Sequence, residues 1–156
     1  ETLYFGNNLI NNEVIPGMKP AVFTLEAEII EIGVKPAAPY GPTQTPPFGQ
    51  VPDTSGGKNK LSKRAIVDVG LLDVGNTAGL KLTDERLKIV GGSSDMIIVD
   101  VSETDEEYAV GGTISFRPGY IHTLSLMNSK YIDKRVLDSP TGGPSRRHVP
   151  LEARRD

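Results

Sequence analysis

The clearest pattern of apolar and polar positions lies in "AVFTLEAEIIEIG", residues 21–33, where Phe23, Leu25, Ala27 and Ile29 alternate with Thr24, Glu26 and Glu28. A period of two puts the apolar set on one face of a β-strand and leaves the other face wet. The alternation slips at Ile29-Ile30, which predicts a bulge or a passage between two environments. Further along, "KRAIVDVGLLDVG" sets Ala65, Val67, Val69 and Leu71 on one face, with Ile66 and Leu72 on the other. Two partly apolar faces predict a central strand. "RLKIVGG" and "DMIIVDVS" add two short β-rich runs. "EEYAVGGTISF" predicts a hairpin turning at Gly111-Gly112, where glycine supplies positive φ at little steric cost.

The period changes after Pro118. Tyr120, Leu124, Met127 and Tyr131 fall at i, i+4, i+7 and i+11, one face of a short helix, and "KYIDKRVL" returns to extended structure. Two segments carry no period. Residues 34–63 hold Pro36, Pro39, Pro42, Pro46, Pro47 and Pro52 among four glycines, a long Pro/Gly loop that is either a surface excursion or an interface. The last eighteen residues, with four arginines, read as a flexible tail rather than a basic patch. Five or more short strands punctuated by glycine, with one short helix near the C-terminus, predict a mostly β fold, a small barrel or sandwich.

Composition narrows the function classes. Seventeen Gly and twelve Pro against 37% hydrophobic residues suit a loop-rich β domain. Without cysteine there is no thiolate metal site and no Cys nucleophile, and two distant histidines, His122 and His148, predict no metal centre. A formal charge of −3 argues against a nucleic-acid partner. No apolar run approaches the roughly 20 residues of a membrane span, and no signal peptide is visible, so the expected location is cytoplasmic.

The residues offer little chemistry by themselves. "VGGSSDM" sets glycines, two hydroxyls and a carboxylate between strands, either a small ligand cradle or, more commonly, a turn satisfied by its own side chains. "ETDEEY" has acidic oxygens but lacks the glycine and spacing of a calcium loop, so it reads as a solvated turn. Tyr120 at a helix start is either a core aromatic or a phosphate ligand.

Taken in order, "FTLEAEIIEI", "KRAIVDVGLLDV", "IVGGSSDMIIVDVSETDEEYAVGGTISF" and "GYIHTLSLMNSKYI" resemble the C-terminal half of the PLP-dependent amino-acid racemases. The branch around ornithine racemase is nearest, with alanine racemase more distant. The resemblance spans about residues 1–137. It implies a small β-barrel at 19–138 that closes the active site of an N-terminal (β/α)₈ barrel, in a homodimer acting on an amino acid. PLP would be bound covalently by a lysine of that barrel and not by this chain, so the isolated chain is expected to be inactive. "ETLYFG" resembles the last barrel strand, so residues 1–18 are expected to be its remnant plus a linker, with 139–156 as the tail. A non-catalytic β-barrel binding module is the alternative, and an unrelated all-β domain a third reading.

The resemblance also assigns residues. Tyr120 falls on the tyrosine that bonds the cofactor phosphate, and Glu1 on a backbone position facing the same phosphate. Ser93, Ser94 and Asp95 fall on the loop that approaches the substrate, where Asp95 could pair with the distal ammonium of a diamino acid. "GLLDV" departs from the family pattern: Leu71 occupies the position of the tyrosine base and cannot move a proton.

Overall fold

The structure, a computed structural model, describes residues 10, 16–17, 22–36, 61–137 and 146–148. Strands β1 (Leu25–Pro36), β2 (Leu61–Val67), β3 (Lys81–Leu82), β4 (Lys88–Gly92), β5 (Ile97–Asp100) and β6 (Thr113–Arg117) form one antiparallel sheet in the order β3-β6-β1-β2-β5-β4. It curls into a nearly closed barrel. The two edge strands, β3 and β4, are consecutive in the chain, so the turn between them crosses the seam. That turn is held by the Thr83 N–H on the Ser115 carbonyl (2.9 Å) and by the Arg86 guanidinium on both oxygens of Asp84 (2.8 and 3.0 Å). Two helices, α1 (Leu71–Val74) and α2 (Tyr120–Asn128), pack on the barrel, and β7 (Arg135–Leu137) pairs with β8 (Arg146–His148) as a separate ribbon. Strand β8 lies in the C-terminal segment for which the sequence pattern predicts no regular element. Among the described residues no helix is long and apolar enough to cross a membrane.

β1 closes the barrel by serving two neighbours. Leu25–Glu28 pair with β6, and from Ile29 onward the strand pairs with β2. The register shifts between Ile29 and Glu31, so Ile30 is the extra residue of a bulge, where the sequence alternation slips. Asp68 stitches this crossing: its carboxylate accepts the Glu28 N–H (2.8 Å) and its own N–H reaches the Glu28 carbonyl (3.0 Å). Ile29, Val67, Ile97, Val99 and Phe116 are fully buried inside.

Three expectations change in the fold. Strands β1 and β2 extend into the segment read as loop, because Val34–Pro36 pair with Leu61–Lys63 as a ribbon in which the buried residue is polar Ser62 and the apolar Leu61 and Val34 are exposed. The predicted hairpin at Gly111-Gly112 is instead a turn with no strand before it. Gly111 (φ +85°) closes it, its N–H and the Gly112 carbonyl bonding Ile29 of β1 (2.9 and 2.7 Å). Finally, β2 stops at Val67 and "LLDV" is helical. Leu71 and Val74, three apart, both turn inward, and Gly75 (φ +80°) ends the turn.

α2 forms where the sequence places it but presents the opposite face. His122, Thr123 and Leu126 are buried, whereas Tyr120, Leu124, Met127 and Tyr131 are exposed, Tyr131 at 94%. The polar atoms on the buried face are used locally. His122 Nδ1 accepts the Gly119 N–H (3.1 Å), and the Thr123 hydroxyl donates to the Gly119 carbonyl (3.0 Å). An accepting Nδ1 leaves the proton on Nε2, which faces the backbone of Ala78 and Asn76 without reaching a hydrogen bond.

Burial holds the His122 pKa below its usual 6.5, against the smaller opposing pull of the Ala78 and Asn76 backbone. Protonation would also remove the acceptor of the Gly119 N–H. Above 6.5 both folded and unfolded chains carry neutral imidazole. As pH falls below 6.5 only the unfolded chain takes the proton, and stability is lost. Urea unfolding is expected to give lower stability at about pH 5 than at about pH 7.5, with most of that difference absent in His122→Gln. Asp84, lowered mainly by the Arg86 hydrogen bonds, and Asp100, where burial is outweighed by bonds from Ser102 and Ser62, lose their contribution only below 3.8, outside this window.

Candidate functional site

α1 is too short to be held by its own bonds, and its N-terminal donors are satisfied from outside the helix. The Leu71 N–H donates to the Ser93 carbonyl (2.9 Å) and the Leu72 N–H to the Ser94 carbonyl (3.0 Å), while Asp73 and Val74 bond the Gly70 carbonyl (3.0 and 3.1 Å). The approach is so close that a Cβ on Gly70 would lie 2.2 Å from the Ser94 oxygen and 2.5 Å from the Asp95 Cα. Only glycine allows this backbone-to-backbone contact. It joins two of the features singled out by sequence, the "GLLDV" segment and the "SSD" loop.

Residues 93–96 form the turn between β4 and β5, closed by the Ser93 N–H on the Met96 carbonyl (2.8 Å). With the Ser93 and Ser94 carbonyls engaged by α1, what the turn offers outward is side chains. Ser94 Oγ donates to Asp95 Oδ2 (2.7 Å), orienting a carboxylate that has no ion-pair partner among the described residues. Such a carboxylate suits an ammonium group.

Leu71 is 5% exposed and belongs to the core, its side chain lying near Gly92, whereas Leu72 beside it is 74% exposed. The position that the resemblance matches to a tyrosine base therefore carries a packing residue. Tyr108 is ill suited to replace it, because burial, and then its hydrogen bond to Glu106, push its hydroxyl up to about 12. Tyr120 opens α2 and is 45% exposed, so it is not the core aromatic that its spacing allows. It stands about 12 Å along the helix axis from Asn128, whereas Ser129 at the far end is the residue bonded to α1, through Asp73 (2.8 Å). Tyr120 thus lies at the opposite end of α2 from the residue that bonds α1. Glu1 lies outside the described residues. The sequence reading missed Gly70, Asp73 and Ser129; the paired glycines of "VGLLDVG" were the available signal.

Leu72, Met96, Ile121, Leu124, Met127 and Tyr131 extend the site as exposed apolar surface. Two clefts open elsewhere, at the barrel seam: one of about 490 Å³ lined by Lys81, Leu82, Leu87 and Arg117, and one of about 390 Å³ lined by Arg86, Glu106 and Tyr108. Ser93, Ser94, Asp95 and Tyr120 line neither. As for a cofactor, Tyr120 is a half-exposed tyrosine in the first turn of α2, which suits the edge of a phosphate site completed from outside these residues.

Gly70→Ala is expected to cost about 2–4 kcal/mol in urea unfolding, because the clash is with backbone that cannot rotate away. Gly91→Ala, in β4 with open space around its Cβ, is expected to stay within about 0.5 kcal/mol.

The chain is 37% identical to an ornithine racemase of Acetoanaerobium sticklandii over 137 residues, 88% of this chain and 38% of that protein. It is 32% identical to a lysine racemase of Thermotoga maritima over 134 residues, 86% of this chain and 37% of that protein. The chain thus spans under two fifths of the length of these curated relatives. Among solved structures it is similar to alanine racemase from Acinetobacter baumannii, with a TM-score of 0.47 and 21% identity, covering 74% of this chain and 34% of that one. No family model matches. By sequence the chain is a relative of the ornithine and lysine racemases, and what it resembles in them is an alanine racemase-like C-terminal β domain.

Proposed function

We propose that the chain serves as the β domain of a PLP-dependent amino-acid racemase, closing the active site of a (β/α)₈ barrel within a homodimer. The observation that carries this reading is the similarity to two racemases named for diamino acids across nearly the whole chain. The exposed apolar side chains of α2 and Leu72 support it, since surface of this kind beside a candidate site suits burial against another domain.

Racemisation removes the Cα proton of the substrate and returns it on the other face, and bound PLP supplies the electron sink. This chain's residues bind and orient. The Tyr120 hydroxyl would help hold the cofactor phosphate, a role the resemblance also assigns to Glu1, and Ser93, Ser94 and Asp95 would face the substrate. Asp95, oriented by Ser94, pairs with the distal ammonium of ornithine or lysine. Leu71 holds no proton, so the second base is another group. That departure favours the alternative, a binding module that has kept the fold without the chemistry.

Combining the chain with a separately expressed racemase barrel and assaying ornithine, lysine, serine and alanine distinguishes the two. Racemisation that requires both parts is expected; activity independent of this chain overturns the reading. In the active assembly, Asp95→Asn is expected to lower kcat/KM for ornithine or lysine relative to alanine by roughly ten- to a hundredfold, the loss of one charge-assisted pair. Unchanged discrimination would remove Asp95 from the substrate contact.

A further inference from the structure

We infer that Asp73 is the positioning residue of the candidate site, fixing the Ser93–Asp95 turn relative to the C-terminal end of α2. The inference gives Asp73 a role in the racemase reading above and rests on that reading for its functional meaning. The geometry behind it stands on its own.

α1 has four residues, and its internal ladder amounts to Val74 on Gly70 (3.1 Å) and Gly75 on Leu71 (2.8 Å). A helix this short does not hold its own place, because nucleation costs more than one turn returns. Its place is set by what grips its two sides. On one side the Leu71 and Leu72 N–H groups are bonded into the Ser93 and Ser94 carbonyls, with Gly70 against the Ser94–Asp95 backbone. On the other side stands Asp73. Its Oδ1 accepts the Ser129 hydroxyl at 2.8 Å, while its Oδ2 lies 3.5 Å from the Gly70 N–H. Ser129 is itself fixed, because its N–H bonds the Ser125 carbonyl (3.0 Å), its Oγ accepts the Tyr131 N–H (3.3 Å), and Lys134 Nζ donates to its carbonyl.

A continuous series of bonds therefore runs from the outward-facing Ser94–Asp95 pair through α1 to Asp73, Ser129 and the exposed Tyr131. Asp73 has no ion-pair partner among the described residues. Its grip on α2 is thus a directional hydroxyl bond rather than a loose charge attraction. A carboxylate that only capped α1 would need the Gly70 N–H and nothing else. Asp73 holds that contact at its longest distance and spends its short bond on a residue 56 positions away.

The test removes the hydroxyl without removing volume. In Ser129→Val a methyl group replaces it, and in Ser129→Thr it is retained. In the 156-residue chain, Ser129→Val is expected to shift the amide resonances of Ser93, Ser94 and Asp95 and to speed hydrogen exchange at Leu71 and Leu72 by roughly tenfold. Ser129→Thr is expected to restore both. Unchanged exchange and shifts in Ser129→Val, or failure of Ser129→Thr to restore them, would overturn the inference. In the reconstituted assembly, Ser129→Val is expected to raise KM for the diamino acid with a smaller change in kcat, and Ser129→Thr to return it. Should the wild-type assembly prove inactive while the exchange result holds, the racemase reading fails and the positioning by Asp73 stands.

Discussion

The barrel depends on one strand doing two jobs. β1 must bury Leu25, Ala27 and Ile29 against β6 and then turn away to pair with β2, and a regular two-residue period cannot serve both directions. The extra residue at Ile30 resolves this by resetting the register, and Asp68 takes up the backbone groups of Glu28 at the crossing. With β1 bent in this way, six short strands curl far enough for β3 and β4 to meet across a single turn. α1 and α2 pack against this core, and Ser93, Ser94 and Asp95 lie against α1.

At that end the organising contact is between backbones. Gly70 lies against Ser94 and Asp95 with no room for a Cβ, and the Leu71 and Leu72 N–H groups bond the Ser93 and Ser94 carbonyls, joining α1 to the β4–β5 turn. The carbonyls of the turn are consumed by this contact, and its side chains are left facing outward. Polar satisfaction thus decides what the site can offer: a carboxylate oriented by a serine and without an ion-pair partner among the described residues, beside exposed Leu72 and Met96.

Several features were legible from residues alone, because the physics that fixes them is local. The slip at Ile29-Ile30 marked the bulge, the runs around residues 88–92 and 97–100 marked β4 and β5, and the spacing after Pro118 marked α2. The helix α1 was not legible, since Ala65, Val67, Val69 and Leu71 alternate as a strand would and all four are buried. The chain keeps the same inward set while changing its backbone at Gly70. The extension of β1 and β2 was also hidden, because it buries polar Ser62 and exposes Leu61 and Val34, the reverse of an apolar-inward alternation.

For this protein the sequence by itself determined the β-rich class, the bulge, the approximate elements and, through ordered stretches rather than any one motif, the racemase resemblance. Tertiary structure alone decided which face of α2 is covered. Helical spacing groups Tyr120, Leu124 and Met127 without saying whether the group faces in or out. The outcome follows from partners distant in sequence: Gly79 lies against His122 and Gly75 against Ser125, while Gly119 bonds His122 Nδ1 and the Thr123 hydroxyl. Likewise, that Leu71 is a packing residue and Asp95 an available carboxylate depends on a contact between residues 70 and 94. No pattern along the chain records such a contact, because its energy lies in space rather than in period.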